Sequence, residues 1–240
     1  MAKSSSTGAK QQAGTDQEQA PNAAAVDILI DLLRGSDAPK DLVTIVSKNG
    51  SKESKFSIHK EFACRASPVL KAAFESSFVE GQTQTYKLDV SEDVIRALVR
   101  WIYTQDFKSV QITTGKFDQA EAMTLVQLWV LADKLLMPKL QNMLIREIDK
   151  ARKTTKIIPT CCFQYVWENT AEESPLRILF IHECAMHIDS GWNKKLLSTF
   201  PHEMLQELII AMSNSKIWKS YDLQNHFPLS YKWSRYEVQE

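Results

Sequence analysis

The sequence predicts an α+β fold in which a small sheet flanked by helices is followed by an all-helical extension. Two observations support this prediction. Apolar and polar residues alternate over residues 41–60, as in strands, and from residue 91 to 213 apolar residues recur mostly at spacings of three and four, as in amphipathic helices. With 240 residues, 44% of them hydrophobic, the chain can build the core of one large domain or of two small ones.

Composition excludes several classes of function. Twenty-nine basic residues balance 29 acidic ones, so no global field attracts nucleic acid or a membrane surface. No stretch resembles a signal peptide or the roughly 18 to 20 apolar residues that span a bilayer, which predicts a soluble, intracellular protein of the cytoplasm or nucleus. None of the four cysteines has C-x-x-C spacing, and all are predicted to be reduced core thiols: Cys64, Cys161, Cys162 and Cys184.

The N-terminal region divides in two. Residues 1–22 contain no large apolar side chain after Met1, which predicts a disordered tail. An amphipathic helix is expected next, closed by Gly35. Its apolar stripe consists of Val26, Leu29, Ile30 and Leu33.

The strands are expected in the next fifty residues. DLVTIVSKNG and KFSIHK predict a hairpin, because their apolar residues alternate and Asn49-Gly50 suits a turn that needs positive φ. Ser67 and Pro68 form a helix-start signal ahead of VLKAAFESSF, with the serine as cap. TQTYKLDV, residues 83–90, predicts a third strand.

Helices dominate the remainder. Ser91 is predicted to cap a helix whose apolar face is formed by Val94, Leu98, Trp101 and Ile102. A short strand at 110–112, helices at 119–136 and 138–152 and a linker at 153–159 follow. CCFQYVWENT, SPLRILFIHECAMHI and PHEMLQELIIAMS then carry helical apolar spacing, which predicts a helical extension over residues 154–216. Residues 217–240 are rich in aromatic residues but aperiodic, and their structure is unassigned.

Over residues 41–152 the order of elements resembles the BTB/POZ domain, which with its N-terminal helix would occupy residues 23–153. The resemblance rests on four matches in the expected order: Asp41-Leu42-Val43, His59-Lys60, Ser67-Pro68-Val69 and Tyr103-Thr104. LWVLADKLLMPKLQN and YVWENTAEESPLR look like the version common in fungal proteins, where a helical extension follows. The resemblance implies a protein-interaction module that often dimerises through an added N-terminal helix, here the stripe described above.

His59 has two interpretations. A functional imidazole would need a nucleophile to activate or further ligands for a metal, and no sequence neighbour supplies either. A structural imidazole at a strand-to-helix junction can bond the backbone groups that a helix start leaves unpaired. The resemblance implies the structural role.

HECAMH, residues 182–187, is the most enzyme-like string. It differs from the H-E-x-x-H zinc motif by one extra residue, which separates His182 and His187 by about 140° around a helix, so they cannot easily share one zinc. An amphipathic helix with polar flanks is the prediction. Cys161-Cys162 could form a redox-sensing vicinal disulfide, but a buried helical pair is preferred. The sequence therefore predicts no catalytic residue, no metal and no cofactor.

Phe78-Val79-Glu80 resembles the hydrophobic-x-Glu element with which some BTB adaptors bind a cullin scaffold. An aromatic side chain in the polar surround SSFVEGQT suits an anchor for a partner's pocket, with Glu80 to orient it. The alternative is that Phe78 packs beneath the third strand of its own domain.

The function expected from these features is a non-catalytic protein-interaction adaptor, a homodimer or heteromer that links a substrate to a cullin ubiquitin ligase. The alternative from a different class is a transcription- or chromatin-associated regulator whose partner is a nuclear corepressor or whose tail contacts DNA. Zero net charge and the absence of a C-x-x-C zinc finger weaken that alternative. An enzyme built on HECAMH is the least favoured.

Overall fold

The structure is a computed structural model that describes residues 41–50, 52–106, 118–187, 192–213 and 236–240. Four predictions lie outside these residues: the tail at 1–22, the amphipathic helix, the short strand at 110–112, and most of the aromatic-rich segment. The proposed dimer contact through Val26, Leu29, Ile30 and Leu33 therefore stays a prediction.

The described residues form three strands, ten α-helices and one short 3-10 helix. The first group comprises β1 Leu42–Asn49, β2 Lys52–His59, α1 Lys60–Ala66, α2 Pro68–Glu75, α3 Val79–Thr83, β3 Thr85–Leu88, α4 Glu92–Thr104, α5 Gln119–Lys134 and α6 Pro138–Thr155. The second comprises the 3-10 helix Thr160–Cys162, α7 Phe163–Asn169, α8 Pro175–His187, α9 Lys194–Leu197 and α10 His202–Ser213.

The sheet has the order β2-β1-β3. β1 pairs antiparallel with β2, Leu42 opposite His59, which confirms the predicted hairpin, and Gly50 in the turn has the expected positive φ of 60°. β3 pairs parallel with β1, Thr44 opposite Thr85. The central strand β1 is the most buried because it has a neighbour on each side.

Two serines predicted as helix caps behave differently. Ser67 precedes α2, and its Oγ accepts a hydrogen bond from Leu70 N at 3.1 Å while donating one to the Leu135 carbonyl at 2.6 Å. Ser91 has the N-cap position of α4, but its side chain makes no capping bond, so that part of the prediction is wrong. The predicted burial of one face of α4 is confirmed for all four of its apolar positions.

Several predicted boundaries move. The third strand, expected over residues 83–90, spans only Thr85–Leu88. The helix expected over VLKAAFESSF ends at Glu75, and a separate short helix, α3, begins at Val79. The linker expected at 153–159 is shorter, because α6 continues to Thr155 and ends with Lys156 in the left-handed region. Lys153 pairs with Asp149 one turn earlier, a spacing that stabilises the extra helical turn.

The helices after residue 160 pack around aromatic side chains. Phe163 lies at the centre, with ring centroids 5.3 Å from Phe180 and 4.9 Å from Phe200. α8 begins at the predicted Pro175, and α10 begins after Pro201. Within the described ranges, no helix is both long and apolar enough to cross a membrane.

Candidate partner-binding surface

Phe78 and Val79 are the most exposed large apolar side chains in the described part of the chain, at 73% and 69% exposure. Phe78 is the N-cap residue of α3, so the chain turns there and directs this region outward. The alternative in which Phe78 packs beneath β3 does not hold. An aromatic side chain left in water is the kind of surface that a partner's pocket can bury.

The turn that carries Phe78 is closely packed against the end of α2. The Ser76 hydroxyl donates to the Ala73 carbonyl at 2.8 Å and accepts from Phe78 N at 3.2 Å. A Cβ on Gly81 would lie 1.8 Å from the Ser76 carbonyl oxygen, a distance that no side chain tolerates. Glycine is therefore required at 81 for α3 to approach Ser76.

Gln84 holds the other end of α3. Its backbone is left-handed, with φ of 50°, and its side-chain amide donates to the carbonyls of Phe74 at 3.0 Å and Gly81 at 2.5 Å. Glu80 is half-buried and forms no ion pair with any residue of the described ranges. The arrangement presents an aromatic residue on a held turn with an unpaired carboxylate two positions later.

The matched residues Asp41, His59, Lys60 and Tyr103 form hydrogen bonds between different elements of the fold, and we call these bonds ties. The Asp41 carbonyl accepts from Lys60 N at 2.9 Å, and Lys60 Nζ donates to the Phe74 carbonyl at 3.1 Å. His59 N donates to the Tyr103 hydroxyl at 3.0 Å, and His59 Nδ1 lies 2.8 Å from the same hydroxyl. The structural role of His59 thus uses a phenol on α4. The expected side-chain bond to the backbone of the helix start is not formed.

A charged cleft of about 530 Å³ lies beside these ties. Sequence reasoning missed it, because its residues come from three segments. They are Asp41, Lys60, Glu61, Cys64, Arg65, Lys71 and Glu75. Partial burial, and secondarily the Glu75 charge, raise the pKa of Cys64 above its ordinary value. With three acidic and three basic side chains around it, the cleft suits a polar segment of another protein.

The two histidines of HECAMH face different partners. His182 Nδ1 lies 2.7 Å from the Tyr236 hydroxyl, whereas His187 Nδ1 lies 3.0 Å from the Glu183 carbonyl oxygen. No cluster of three or more potential metal ligands occurs in the ranges that the structure covers.

Glu183 is not the polar flank that the sequence predicted, since it is only 5% exposed. Burial raises its pKa to about 7, although the nearby Arg152 opposes the shift. Glu183 Oε2 lies 2.7 Å from Arg152 Nε, but the N–H is not directed at the oxygen as in a hydrogen bond. The pair therefore offsets only part of the cost of burying the carboxylate.

The cysteine prediction needs correction at two positions. Cys161 is exposed and Cys64 is half-buried, whereas Cys162 and Cys184 are buried. Cys161 and Cys162 belong to the 3-10 helix, not to an α-helix, and their sulfurs are 3.8 Å apart. Burial raises the pKa of the Cys162 and Cys184 thiols.

Comparison with known proteins identifies the first half of this architecture. The family model of the BTB/POZ domain matches residues 36–152, which include the sheet, the ties around His59 and Ser67, the exposed turn at Phe78, and most of α6. No curated protein gives a significant match to the chain.

Proposed function

Since residues 36–152 are a BTB/POZ domain, a fold that generally mediates contacts between proteins, we propose that this chain is a non-catalytic adaptor that links a substrate to a cullin ubiquitin ligase. The observation that supports this most is the exposure of Phe78 on a turn that its neighbours hold in place. The sequence Phe78-Val79-Glu80 resembles the hydrophobic-x-Glu element of cullin-binding adaptors, which favours a cullin as the partner.

The energetics of such a contact follow from burial of one ring. A phenylalanine that moves from water into a pocket removes a large apolar area from solvent, and aromatic anchors are commonly hot spots of interfaces. Because the turn is already held by Gly81, Ser76 and Gln84, little conformational entropy is lost when a partner binds. Glu80 supplies a charge that a basic group on the partner could pair with.

The test is Phe78→Ala, measured for binding to a cullin N-terminal domain and for thermal unfolding. We expect a loss of about 2 kcal/mol of binding, about thirtyfold in affinity, with the melting temperature nearly unchanged. Ile210→Ala is the matched control, because Ile210 is an apolar residue exposed to 61% on α10. It should change neither quantity.

Gly81→Ala sharpens the test because it leaves Phe78 in the sequence and displaces the turn that carries it. Binding should fall as in Phe78→Ala, since the new Cβ must push Ser76 away. Wild-type protein that does not bind the cullin domain, or a Phe78→Ala variant that melts far below wild type, would end the cullin proposal. A large drop in the melting temperature would mean that Phe78 belongs to the core of the domain.

A transcription- or chromatin-associated regulator is the second candidate, and the charged cleft favours it. A cleft lined by Lys60, Arg65 and Glu75 fits a polar peptide from a regulatory partner better than an apolar anchor. Affinity purification with wild type and Phe78→Ala in parallel separates the two candidates. A cullin that is recovered with wild type and lost with the variant supports the adaptor, whereas chromatin proteins that are recovered equally with both support the regulator.

A further inference from the structure

Residues 236–240 lie against α6 and α8, far in sequence from both helices. Asn142 on α6 makes the central contact: its Oδ1 accepts a hydrogen bond from Val238 N at 2.7 Å, and its Nδ2 donates one to the Val238 carbonyl at 2.9 Å. A single side-chain amide thus pairs with both main-chain polar groups of one residue. Asn142 is only 5% exposed, so these bonds satisfy a buried polar group.

This pairing recognises backbone in an extended conformation. A side-chain amide offers one acceptor and one donor side by side, as the backbone of a neighbouring strand does for a hydrogen-bonded residue. Because the contact with Val238 involves its N–H and C=O groups, it accepts any residue except proline at that position. Asn142 Nδ2 also donates to the Glu240 carboxylate at 3.3 Å. Specificity must come from the flanking side chains.

Two neighbours of Asn142 contact such side chains. Arg146, one turn further along α6, pairs with the Glu237 carboxylate, with its Nε 3.1 Å from Oε1. His182 on α8 lies 2.7 Å from the Tyr236 hydroxyl, and the two rings meet edge to face with centroids 5.8 Å apart. Together, Asn142, Arg146 and His182 define a surface that we call the Asn142 clamp. In this chain its occupant presents an aromatic residue followed by an acidic one.

The character of the contact indicates a replaceable occupant. None of residues 236–240 is fully buried, and their contacts with the clamp are mainly hydrogen bonds and an ion pair. When the segment leaves, water can hydrate each of these polar groups, so each contact adds little net free energy and no apolar core is disrupted. A permanent part of the fold would instead bury apolar side chains.

We propose that the Asn142 clamp is a binding site for an extended peptide, that residues 236–240 of the same chain occupy it in cis, and that a partner segment with an aromatic–acidic pair displaces them. The site is separate from the Phe78 turn and does not depend on the cullin proposal. Occupancy in cis would keep the site closed to weak ligands, because a tethered segment acts at a high effective concentration.

The experiment uses the full chain and a labelled peptide, SRYEVQE, which reproduces residues 234–240. Val238→Pro in the chain removes the N–H that Asn142 binds and leaves α6 and α8 unchanged, so the clamp opens. Fluorescence anisotropy should show that the peptide binds the Val238→Pro chain at least about tenfold more tightly than wild type, where the cis segment competes.

Second substitutions in the Val238→Pro chain test the clamp itself. Asn142→Asp should weaken peptide binding at least about tenfold, because a carboxylate cannot donate to the Val238 carbonyl. Asn142 is buried, so Arg146→Glu serves as the exposed counterpart. It should weaken binding of SRYEVQE, and a peptide with Glu237→Arg should restore it.

Lys150→Glu is the matched control, because Lys150 lies one turn beyond Arg146 on α6, is exposed, and pairs only with Glu147 among the described residues. Its peptide affinity should equal that of the parent. The proposal is overturned if the peptide shows no binding to the Val238→Pro chain at about 1 mM, or if Lys150→Glu weakens binding as much as Arg146→Glu. A wild-type dimer that Val238→Pro converts to monomer would also overturn cis occupancy, in favour of exchange between two copies.

Discussion

Among the described residues, those from 42 to 137 bury two polar side chains, Ser47 and Ser67, whereas the helices from α6 onward also bury charged side chains. In the first region, the hydroxyl of Ser67 bonds the Leu135 carbonyl, and the hydroxyl of Tyr103 accepts from His59 N. In the second, Arg177 is 5% exposed and lies 3.2 Å from Glu207. The first region is therefore expected to be less sensitive to pH and salt than the second.

The buried guanidinium of Arg177 bonds the carbonyls at the end of a short helix. α7 has seven residues and α9 four, so a large fraction of their carbonyls have no partner within the helix. Arg177 Nη2 supplies partners for two carbonyls at the end of α7, those of Trp167 at 2.7 Å and Thr170 at 2.6 Å. A guanidinium has five donors in a fixed plane, and neither a hydroxyl nor an ammonium group could replace it there.

The largest expected effect comes from Arg177→Met. This change keeps much of the side-chain volume but leaves the carbonyls of Trp167 and Thr170 without the guanidinium donor. Glu207 loses its ion pair and keeps the hydrogen bond from the Trp167 indole N–H. We expect a loss of roughly 3 to 5 kcal/mol in the free energy of unfolding, measured by urea denaturation. Arg100→Met on α4 is the control, because Arg100 is exposed and forms no ion pair with any residue that the structure describes, and the change should cost less than about 0.5 kcal/mol. Equal losses of unfolding free energy in the two variants would show that the contacts of Arg177 do not stabilise the fold.

Glu183→Gln tests the buried charge at the contact between α6 and α8. The pKa of Glu183 in the folded protein is about 7, above its ordinary value of 4.5, so between these values the folded state holds more protons than the unfolded state. The contribution of Glu183 to the free energy of unfolding of the wild type is therefore greatest below about pH 4.5, and it is lost as pH rises through 7. The surrounding charges are Arg152, Asp149 and Lys153.

The glutamine side chain does not ionise, so the stability of the variant does not fall through this group as pH rises. Relative to wild type, its free energy of unfolding should rise by up to about 3 kcal/mol between pH 4.5 and 8. Denaturation at a series of pH values measures the difference between the two proteins, which cancels the other titrating groups. Parallel pH profiles for wild type and variant would contradict a raised pKa at Glu183.

The smallest expected effect is the difference in stability loss between alanine substitutions at Ser67, before α2, and at Ser91, before α4. Ser67→Ala removes a cap and a buried bond to the Leu135 carbonyl, and we expect a loss of about 2 kcal/mol by thermal or urea unfolding. Ser91→Ala should cost less than about 0.5 kcal/mol, because its hydroxyl makes no capping bond. A similar loss at both positions would mean that the hydrogen bonds of the Ser67 hydroxyl do not contribute to stability.

Local patterns determined much of the first region. The alternation around Ile45 and Ile58 predicted the hairpin, and the apolar positions of α4 predicted its buried face, because both depend on the geometry of one element. The order of these elements also predicted the BTB/POZ domain, which the family match confirms at residues 36–152. Phe78 and Glu80 stay predicted site residues, and their signal is also local because three adjacent residues carry it.

What the sequence by itself determined is thus the fold class, the helix and strand types and the existence of an aromatic residue in a polar connection. Only the tertiary structure decided which serine forms a cap, because Ser67 and Ser91 precede similar helices. It also decided that Glu183 is buried against Arg152 and that Val238 meets Asn142, 96 residues away. Periodicity describes how one element faces its surroundings, whereas the pairing of distant polar groups depends on which elements pack together, and no local pattern encodes that choice.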